Sequence, residues 1–386
     1  MAPIVAVVRC DSYDENAVEA SVLDALIRLG GIKRFVKPGD RVLLKVNLLS
    51  ASSPEKSITT HPSVVKAVVK QVQSAGGIPI IGDSPGGPFN RRVLESAYAK
   101  SGMKAVSDET GAVLNYDTGS KQVSYPEGKL LKKIDVINLL GEVDVVITLP
   151  KLKTHTLTRF TGATKILFGV VPGLTKPAYH MKFADVGLFS DMLLDILCYM
   201  KPALSLMDGV IGLEGDGPGT SGVPKKAGLI MASEDSVALD VVASSVIGMD
   251  PMDVPILRKA GDRGLSSGVL SDIEVSGEKV EVVRVPFRQP SGDTGGIGKA
   301  LASKTLRGLI LKTTIAYPVA NKNCVGCGVC MQNCPAAAIS MESGKARMNL
   351  SKCIRCYCCH ELCPHKAVDL RSRLGWAKKL ISRRRA

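Results

Sequence analysis

Aromatic residues are scarce in this 386-residue chain: they make up 4% of it and include one Trp. A platform that stacks on single-stranded nucleic acid needs exposed rings, so this scarcity weighs against that function. The chain has no run of 18 apolar residues, so no segment is predicted to cross a bilayer as a helix. Residues Met1–Asp14 lack a basic stretch followed by an apolar one, so no secretory signal is visible. We therefore expect a cytoplasmic protein.

The composition is that of a folded protein with more than one domain. Hydrophobic residues make up 45% of the chain and charged residues 22%, which is enough apolar material for a sizeable core. A length of 386 residues exceeds that of an average domain and suits two. We therefore expect two folded units and little disorder.

The cysteines are concentrated in one part of the chain. Nine of the 11 lie between Cys324 and Cys363. The other two, Cys10 and Cys198, fall in apolar segments and are predicted to be core residues. A secreted disulfide scaffold would be shorter and would spread its cysteines through the chain. The clustering instead indicates a reducing compartment and thiolates that bind metal.

Two copies of one motif account for eight of these nine cysteines. Both copies read C-x-x-C-x-x-C-x-x-x-C-P, and the second begins 29 positions after the first. The spacing resembles that of bacterial-type ferredoxins, in which three thiolates surround one cluster and the fourth reaches its neighbour. The resemblance implies two 4Fe–4S clusters with crossed ligands: Cys324, Cys327, Cys330 and Cys363 for the first, and Cys353, Cys356, Cys359 and Cys334 for the second.

Two alternatives stay open in this module. Structural zinc also uses C-x-x-C pairs, and eight cysteines would suffice for two ions. Zinc sites rarely show a third cysteine and a C-P pair in duplicate, so we favour the clusters. Cys358 is left over beside Cys359. It is either a spare thiol packed next to a cluster, which we favour, or an alternative ligand.

Upstream of the cysteines, strand-like and helix-like segments alternate. The strand-like segments are short and apolar, and most are rich in β-branched residues, which is typical of strands buried on both faces. They are Ile4–Val8, Val42–Val46, Ile78–Ile81, Val143–Leu149, Leu204–Met207 and Leu229–Met231. Helical periodicity is present at Ala17–Leu29, Pro62–Ser74, Leu188–Met200 and Ser236–Ile247. The alternation predicts an α/β fold with a mostly parallel, Rossmann-like sheet and helices on both faces.

The predicted organisation has four parts. An α/β domain (residues 1–285) is followed by a Pro- and Gly-rich linker with a short helix, Lys299–Thr314, within residues 286–316. A small ferredoxin-like α+β domain with the cysteine motifs (317–370) comes next, and a basic tail (371–386) follows it.

Polar motifs follow most of the predicted strands. In doubly wound folds, ligands bind beyond the carboxyl ends of parallel strands, so these groups are expected along one edge of the sheet. Lysines there would form a positive pocket for a carboxylate or phosphate, and His61, His155 and His180 are candidate proton donors or metal ligands. The predicted binding residues are Lys45, Asn47, Asp83, Ser84 and Lys165. The predicted catalytic residues are Lys153, His155, His61 and Lys151.

The order of these motifs resembles a known family. The segments are Lys45–Asn47, Thr59–Pro62, Gly82–Pro85, Pro150–His155, Thr161–Lys165, Asp208–Gly209 and Glu214–Gly219. They resemble domain of unknown function 362, which is often followed by a two-cluster ferredoxin module, and the resemblance spans roughly residues 4–370. It implies a cytosolic iron–sulfur protein of prokaryotes and no particular reaction. A fainter similarity, in strand–Thr–Pro–helix order, is to nickel-dependent lactate racemases.

The formal charge of +14 is unevenly distributed. Residues 321–386 hold 13 Lys and Arg against 3 Asp and Glu, a net charge of +10 that leaves +4 for residues 1–320. In the tail, Leu370, Leu374, Ala377 and Ile381 recur at helical spacing, with Trp376 among basic residues. The tail is either a solvated terminus, which we favour, or a contact for an anionic membrane or an acidic redox partner. Specific nucleic-acid binding is not expected, since no helix-turn-helix, RNP or zinc-finger pattern is present.

The sequence favours a redox enzyme. Two 4Fe–4S clusters would relay single electrons between a partner protein and an anionic small molecule in the α/β domain. The alternatives are a non-catalytic electron-transfer subunit whose α/β domain docks an oxidoreductase, and a sensing protein with structural clusters. The sequence has no flavin or nicotinamide fingerprint, so no organic cofactor is assigned.

Overall fold

Each strand and helix predicted within residues 1–285 is present in the computed structural model, which describes residues 2–291 and 315–372. The strands are β1 (Ile4–Arg9), β2 (Arg41–Val46), β3 (Ile78–Gly82), β4 (Val113–Leu114), β5 (Ser120–Ser124), β6 (Lys133–Ile137), β7 (Val145–Leu149), β8 (Lys151–His155), β9 (Arg159–Phe160), β10 (Leu204–Gly215), β11 (Gly222–Ser233), β12 (Glu274–Gly277), β13 (Tyr317–Ala320), β14 (Ile339–Glu342), β15 (Lys345–Met348) and β16 (Val368–Arg371). The helices are α1 (Glu15–Ile27), α2 (Pro62–Ser74), α3 (Arg91–Ser101), α4 (Met103–Thr110), α5 (Gly162–Ile166), α6 (Thr175–Lys182), α7 (Val186–Met200), α8 (Ser236–Val246), α9 (Pro255–Asp262), α10 (Val329–Gln332) and α11 (Cys358–Glu361).

One mostly parallel sheet forms the centre of the α/β domain. Its main path runs β12-β1-β11-β10-β7-β2-β3-β4, and β8 joins it by pairing with β10 and β9. The pairs β2/β3, β2/β7, β10/β7, β1/β12 and β3/β4 are parallel. β11 runs against both of its neighbours. The carboxyl ends of β2, β3 and β7 therefore meet at one edge, as a doubly wound sheet requires.

Helices cover both faces of this sheet, as predicted. Val5 and Val7 of β1 pack into one core layer with residues of α7, α8 and α9. Ala6 and Val8 point the opposite way and pack with residues of α1, α2 and α4. Alternate residues of one strand are thus buried against two helical layers, which explains why the strands are apolar throughout their length.

The structure differs from the sequence prediction at two strands and one loop. β10 and β11 are each 12 residues long, far beyond the apolar segments that predicted them. The motif Lys151–His155, expected as a loop after a strand, is strand β8 and is buried along its length. An apolar pattern detects strands that pack in a core. It misses a strand whose buried side chains are polar and satisfied by distant partners.

The cysteine module is built from two antiparallel strand pairs, β13/β16 and β14/β15, and the short helices α10 and α11. Equivalent positions of the two cysteine motifs, 29 residues apart, have the same backbone conformation. Gly326 and Gly328 have φ values of 71° and 77°, and Arg355 and Tyr357, at the equivalent positions, have 58° and 63°. Arg355 and Tyr357 of the second motif thus adopt a left-handed backbone conformation, which costs a non-glycine residue about 1–2 kcal/mol.

Two predicted features lie outside the described residues: the short helix Lys299–Thr314, and the tail beyond Ser372. Arg371, placed in the tail by the sequence, is the last residue of β16 and pairs with Tyr317. Cys10 is buried and Cys198 half-buried. Within the described ranges, no helix is both long and apolar enough to cross a membrane.

Candidate functional site

The eight motif cysteines are gathered around two separate cavities. Cys324, Cys327, Cys330 and Cys363 line the first, which has an empty volume of about 320 Å³. Cys334, Cys353, Cys356 and Cys359 line the second, of about 370 Å³, together with Cys358. The fourth cysteine of each motif therefore sits with the first three of the other. This is the crossed grouping that the ferredoxin-like spacing implies.

The surroundings of these cysteines suit iron–sulfur clusters. Backbone N–H groups point at four sulfur atoms: Ala346 to Cys324 (3.3 Å), Ala338 to Cys334 (3.2 Å), Arg355 to Cys353 (3.4 Å) and Ala367 to Cys363 (3.2 Å). Such bonds stabilise negatively charged cluster thiolates and tune their potentials. Among the described residues, no three His, Cys, Asp or Glu side chains are close enough to hold a single metal ion. Four motif cysteines around each cavity are the donor set that a 4Fe–4S cluster uses.

A larger cleft lies between the α/β domain and the cysteine module, with an empty volume of about 680 Å³. We call it the interdomain cleft. It opens at the carboxyl ends of β2 and β3. From the α/β domain it is lined by Lys45, Asn47, Leu49, Asp83, Ser84, Gly86, Gly87, Lys165, Ile166, Phe168, Gly169, Gly173, Lys176, Pro177 and His180. From the module it is lined by Asn333, Cys358, Glu361 and Leu362.

A side pocket of about 320 Å³ adjoins the interdomain cleft. The two share Asn47, Leu49, Lys165, Ile166 and Glu361. The side pocket adds polar groups from β8, Lys151 and Lys153. The edge of the sheet, its polar loops and the cysteine module thus enclose one connected site.

Glycines allow the module to approach the α/β domain closely. A Cβ atom on Gly86 would lie 2.5 Å from the Leu362 side chain, and one on Gly219 would overlap the Glu361 carbonyl oxygen. The Thr220 hydroxyl donates a hydrogen bond to the Cys363 carbonyl oxygen at 2.7 Å. These glycines lie in the Gly-rich loops that the sequence associates with ligand binding. The structure shows that they serve the contact between the two domains.

Two of the four lysines expected to make the site positive are neutralised by buried carboxylates. Lys45 Nζ lies 2.6 Å from Asp83 Oδ1, and Lys151 Nζ lies 2.8 Å from Asp208 Oδ2. The Asp83 carboxylate also accepts a hydrogen bond from the Leu48 N–H at 2.7 Å. Buried ammonium groups need such partners, so these pairs contribute structure rather than free positive charge.

Three other lysines have no carboxylate in ion-pair contact within residues 2–291 and 315–372. Lys153 Nζ donates to Asn47 Oδ1 and to the Ile58 carbonyl oxygen. Lys176, which the sequence analysis did not single out, donates to the Ser84 carbonyl oxygen at 2.8 Å and to its hydroxyl at 2.9 Å. Within the described residues, Lys165 makes no hydrogen bond or ion pair. Removal from water lowers the pKa of Lys153 and of Lys176 to about 7 and also lowers that of Lys165.

His61 and Lys151 belong to a separate buried network. The Lys151 Nζ lies 2.5 Å from the Tyr13 hydroxyl, which donates to Asp208 Oδ1 at 2.9 Å. The His61 ring stacks on the Tyr13 ring with centroids 3.5 Å apart, and its Nδ1 accepts the Ser63 N–H that opens α2. His61 does not line the cleft. Its contacts are those of a helix cap and a packing residue.

The histidines of this region are neutral at pH 7. Burial lowers the pKa of His61 to about 4 and that of His180 to about 3, and it holds the pKa of His155 well below its ordinary value. His155 Nδ1 accepts the Leu157 N–H at 3.0 Å, so its proton is on Nε2, which lies 3.7 Å from Glu361 Oε2. His155 is thus a neutral imidazole near Glu361, not an acidic imidazolium, and it lines neither the cleft nor its side pocket.

Sequence reasoning missed Lys176, Glu361, Tyr13 and the role of Asp208. Glu361 is the important omission, because it is the acidic side chain that the module inserts among the lysines. It lies two residues after Cys359, and a charged residue in a predicted cluster loop gave no sign of facing another domain. Lys176 follows a Pro-Gly turn, a weak signal that depends on where the turn folds.

Comparisons with known proteins agree with this two-part architecture. The family model for the domain of unknown function DUF362 matches residues 42–245, and the model for the 4Fe-4S dicluster domain matches residues 318–364. Thylakoid-associated protein sll1697 of Synechocystis sp. is 37% identical over 273 residues, which cover 69% of this chain and 81% of that protein. The lactate racemase apoprotein of Thermoanaerobacterium thermosaccharolyticum matches with a TM-score of 0.42 and 17% identity, over 64% of this chain and 58% of its own.

Proposed function

Because this chain belongs to the DUF362 family and carries a 4Fe–4S dicluster domain, we propose that it is an iron–sulfur oxidoreductase. Two 4Fe–4S clusters, held by the two crossed cysteine sets, supply one-electron transfer when bound. They relay electrons between a partner protein and a small molecule in the interdomain cleft. The observation that carries this proposal is the position of Cys358, which lines both the cleft and the second cysteine cavity.

The exposure of the two cysteine sets supports a direction for electron flow. In the first set, Cys327 is exposed and Val325, two positions before it, has 62% of its surface exposed, although Cys330 and Cys363 of that set are buried. In the second set, Cys359 is buried and adjoins the cleft through Cys358. The first cluster is therefore the contact for an external electron carrier, and the second is the contact for the bound molecule. Such an arrangement separates electron entry from the site of reaction.

The cleft residues have distinct roles in this proposal. Lys165 and Lys176 attract and orient the bound molecule, and Lys153 supports the side pocket through Asn47. A lysine whose pKa is near 7 exchanges a proton readily at neutral pH, so Lys153 and Lys176 are the candidates for proton delivery. The buried His155 Nε2 lies 3.7 Å from Glu361 Oε2 and has no hydrogen-bond partner among the described residues.

The test is single-turnover reoxidation under anaerobic conditions. Purified protein should contain about eight iron and eight sulfide per chain, and dithionite should generate the EPR signals of reduced 4Fe–4S clusters. After dithionite is removed, the small-molecule fraction of a cell extract should reoxidise the clusters, and mass spectrometry should identify the compound consumed. Lys153→Met should keep the EPR signals and slow reoxidation at least tenfold, whereas Lys182→Met, at an exposed lysine of α6, should do neither.

A different result would favour the electron-transfer subunit. In that case the clusters would exchange electrons with proteins alone, and Lys153→Met would leave every rate unchanged. Reoxidation by small molecules at equal rates in both variants would also count against the cleft as the site of reaction.

The name of the Synechocystis relative supports a second proposal, a peripheral contact with a membrane. The basic tail from Arg371 is the segment whose composition suits an anionic surface. The full chain should co-sediment with phosphatidylglycerol vesicles and not with phosphatidylcholine vesicles, and a variant with Gln at Arg383, Arg384 and Arg385 should lose this binding. Equal sedimentation with both lipids would refute the contact, and the chain would then be placed in the cytoplasm.

A further inference from the structure

We propose that the interdomain cleft binds an organic carboxylate with an apolar body, whose carboxylate group is held by Lys165 and Lys176. This inference rests on the proposed function, because it takes the cleft as the substrate site, and it adds the chemical class of the substrate. Three observations carry it: an imbalance of charge, the occupation of the backbone N–H groups, and the apolar part of the cleft wall.

The charge imbalance calls for an anion. The groups that face the cleft and its side pocket include Lys45, paired with Asp83, Lys151, paired with Asp208, and the neutral His180. Lys153, Lys165 and Lys176 are left. Among the described residues, the carboxylates that line the two pockets are Asp83, already paired with Lys45, and Glu361, which makes no hydrogen bond to these three lysines. Buried ammonium groups bonded only to neutral acceptors are stabilised strongly by an added negative charge.

The backbone of the cleft argues against a phosphate. Phosphate sites are usually cradled by free backbone N–H groups of Gly-rich loops or helix N-termini. Here the N–H groups of Ser84 and Gly86 donate to the carbonyl oxygens of Gly169 and Leu49, and that of Gly173 donates to the Ser84 hydroxyl. These N–H groups are therefore already bonded within the protein. Ammonium groups remain as donors, and they suit a carboxylate.

The remaining wall of the cleft is apolar. Its apolar lining residues are Leu49, Ile166, Phe168, Pro177 and Leu362. A ligand with a carboxylate at one end and an apolar body at the other would satisfy both parts of the wall. Asn333 from the module adds a polar atom without a partner, since its buried Oδ1 accepts no hydrogen bond among the described residues.

Glu361 makes the proposal testable in two directions. Its carboxylate is the negative charge already facing Lys165, so it competes electrostatically with an incoming anion. Removing a lysine should weaken binding of the anion, and removing the Glu361 charge should strengthen it. A structural role for the same residues would not produce opposite effects.

The experiment is calorimetric titration of the oxidised protein, with clusters intact and no reductant. The probes are benzoate, cinnamate and hexanoate, with benzamide and cinnamamide as neutral counterparts and inorganic phosphate as a separate anion. At least one carboxylate should bind, and its amide should bind at least tenfold more weakly. Lys165→Met should weaken carboxylate binding about tenfold or more, and Glu361→Gln should tighten it several-fold.

Matched controls come from exposed residues of the same elements or module. Lys182→Met, in α6 with Lys176, and Glu342→Gln, in β14, should leave the affinity unchanged. Cluster EPR spectra should be the same in all four variants, which shows that each has folded with its clusters.

Three outcomes would overturn the proposal: no binding of any carboxylate, equal affinity for carboxylate and amide, or phosphate binding tighter than every carboxylate. Failure of the proposed function is distinguishable from these results. Selective carboxylate binding without any electron transfer would refute the redox role alone. Electron transfer to cleft compounds without carboxylate selectivity would refute this inference alone.

Discussion

The cysteine module and the α/β domain place their functional groups in different ways. In the module, eight cysteines come from one continuous stretch, residues 324–363, and a 29-residue repeat groups them around two cavities. In the α/β domain, the cleft is lined by lysines that are far apart in sequence: Lys45 in β2, Lys165 in α5 and Lys176 in α6. Local spacing organises the first site, whereas tertiary packing organises the second. We therefore expect a substitution of a module cysteine to affect one cluster. In the α/β domain, a substitution in the cleft should change both the stability of the fold and the binding site.

The largest expected effect distinguishes a cluster ligand from its neighbour. Cys353→Ser should remove the second cluster, with loss of about half of the iron and sulfide, because a crossed cubane depends on each of its four thiolates. Cys358→Ser should keep the full content, because Cys358 is the additional cysteine in that cavity. Iron and sulfide analysis with EPR measures both. Loss of iron in Cys358→Ser would make Cys358 a ligand.

The next effect compares two lysines of the α/β domain. Lys151→Met leaves Asp208 buried without its ion pair and should lower the free energy of unfolding by about 3 kcal/mol. Lys165→Met removes no ion pair and should change it by less than about 1 kcal/mol. Thermal unfolding followed by circular dichroism, under anaerobic conditions, measures the difference. Equal shifts in Tm would show that the Lys151 network is not held by its charge pair.

A smaller effect concerns the contact between the two regions. Gly219→Ala places a methyl group against the Glu361 carbonyl oxygen and should destabilise docking of the module by about 1–3 kcal/mol. The matched control is Gly261→Ala in α9, where the nearest atom to a new Cβ is 3.6 Å away. Hydrogen exchange of residues 358–363 should rise in the first variant and stay unchanged in the second. Unchanged exchange in Gly219→Ala would show that the interface adapts easily.

The smallest effect is a dependence of stability on pH that comes from Lys153. Its pKa of about 7 in the folded chain is below the ordinary value of 10.5, so the unfolded chain binds more protons between these two values. Stability should therefore rise with pH above about 7, by about 1–2 kcal/mol up to pH 9, and lose this contribution below pH 7. The difference in Tm between the native chain and Lys153→Met, measured at pH 7 and pH 9, tests it. If the difference in Tm between the two proteins were the same at both pH values, the pKa of Lys153 in the folded chain would be close to its ordinary value.

Apolar patterning and cysteine spacing predicted most of the framework. The segments Val42–Val46 and Pro62–Ser74 lie almost wholly within β2 and α2, because each buries a continuous or periodic apolar face. Three cysteines of each set are three positions apart, whereas the fourth, from the other motif, was assigned by the resemblance to ferredoxins. The apolar segments and the cysteine triplets are thus predicted from neighbours in sequence.

The parts of the site that were not predicted depend on neighbours in space. Whether the positive charge of Lys151 is compensated depends on Asp208, which pairs with it between the neighbouring strands β8 and β10 but lies far along the chain. Glu361 enters the site because Gly86 and Gly219 allow the module to dock closely. A single sequence contains these residues but does not show that they meet. The lysine pattern alone therefore predicted a more positive pocket than the one that folds.

The Thr220 hydrogen bond to Cys363 has a consequence for how the protein is made. Cys363 belongs to the first cysteine set. The same segment contains Glu361, whose carbonyl oxygen lies against Gly219 and which lines the cleft. The wall of the cleft is therefore shaped by the same backbone that wraps the metal. If the module folds only around bound clusters, we expect a newly synthesised chain to complete this wall after iron and sulfide have been inserted. A cell short of iron would accumulate a form with an incomplete cleft, so iron supply would control how much binding-competent protein exists.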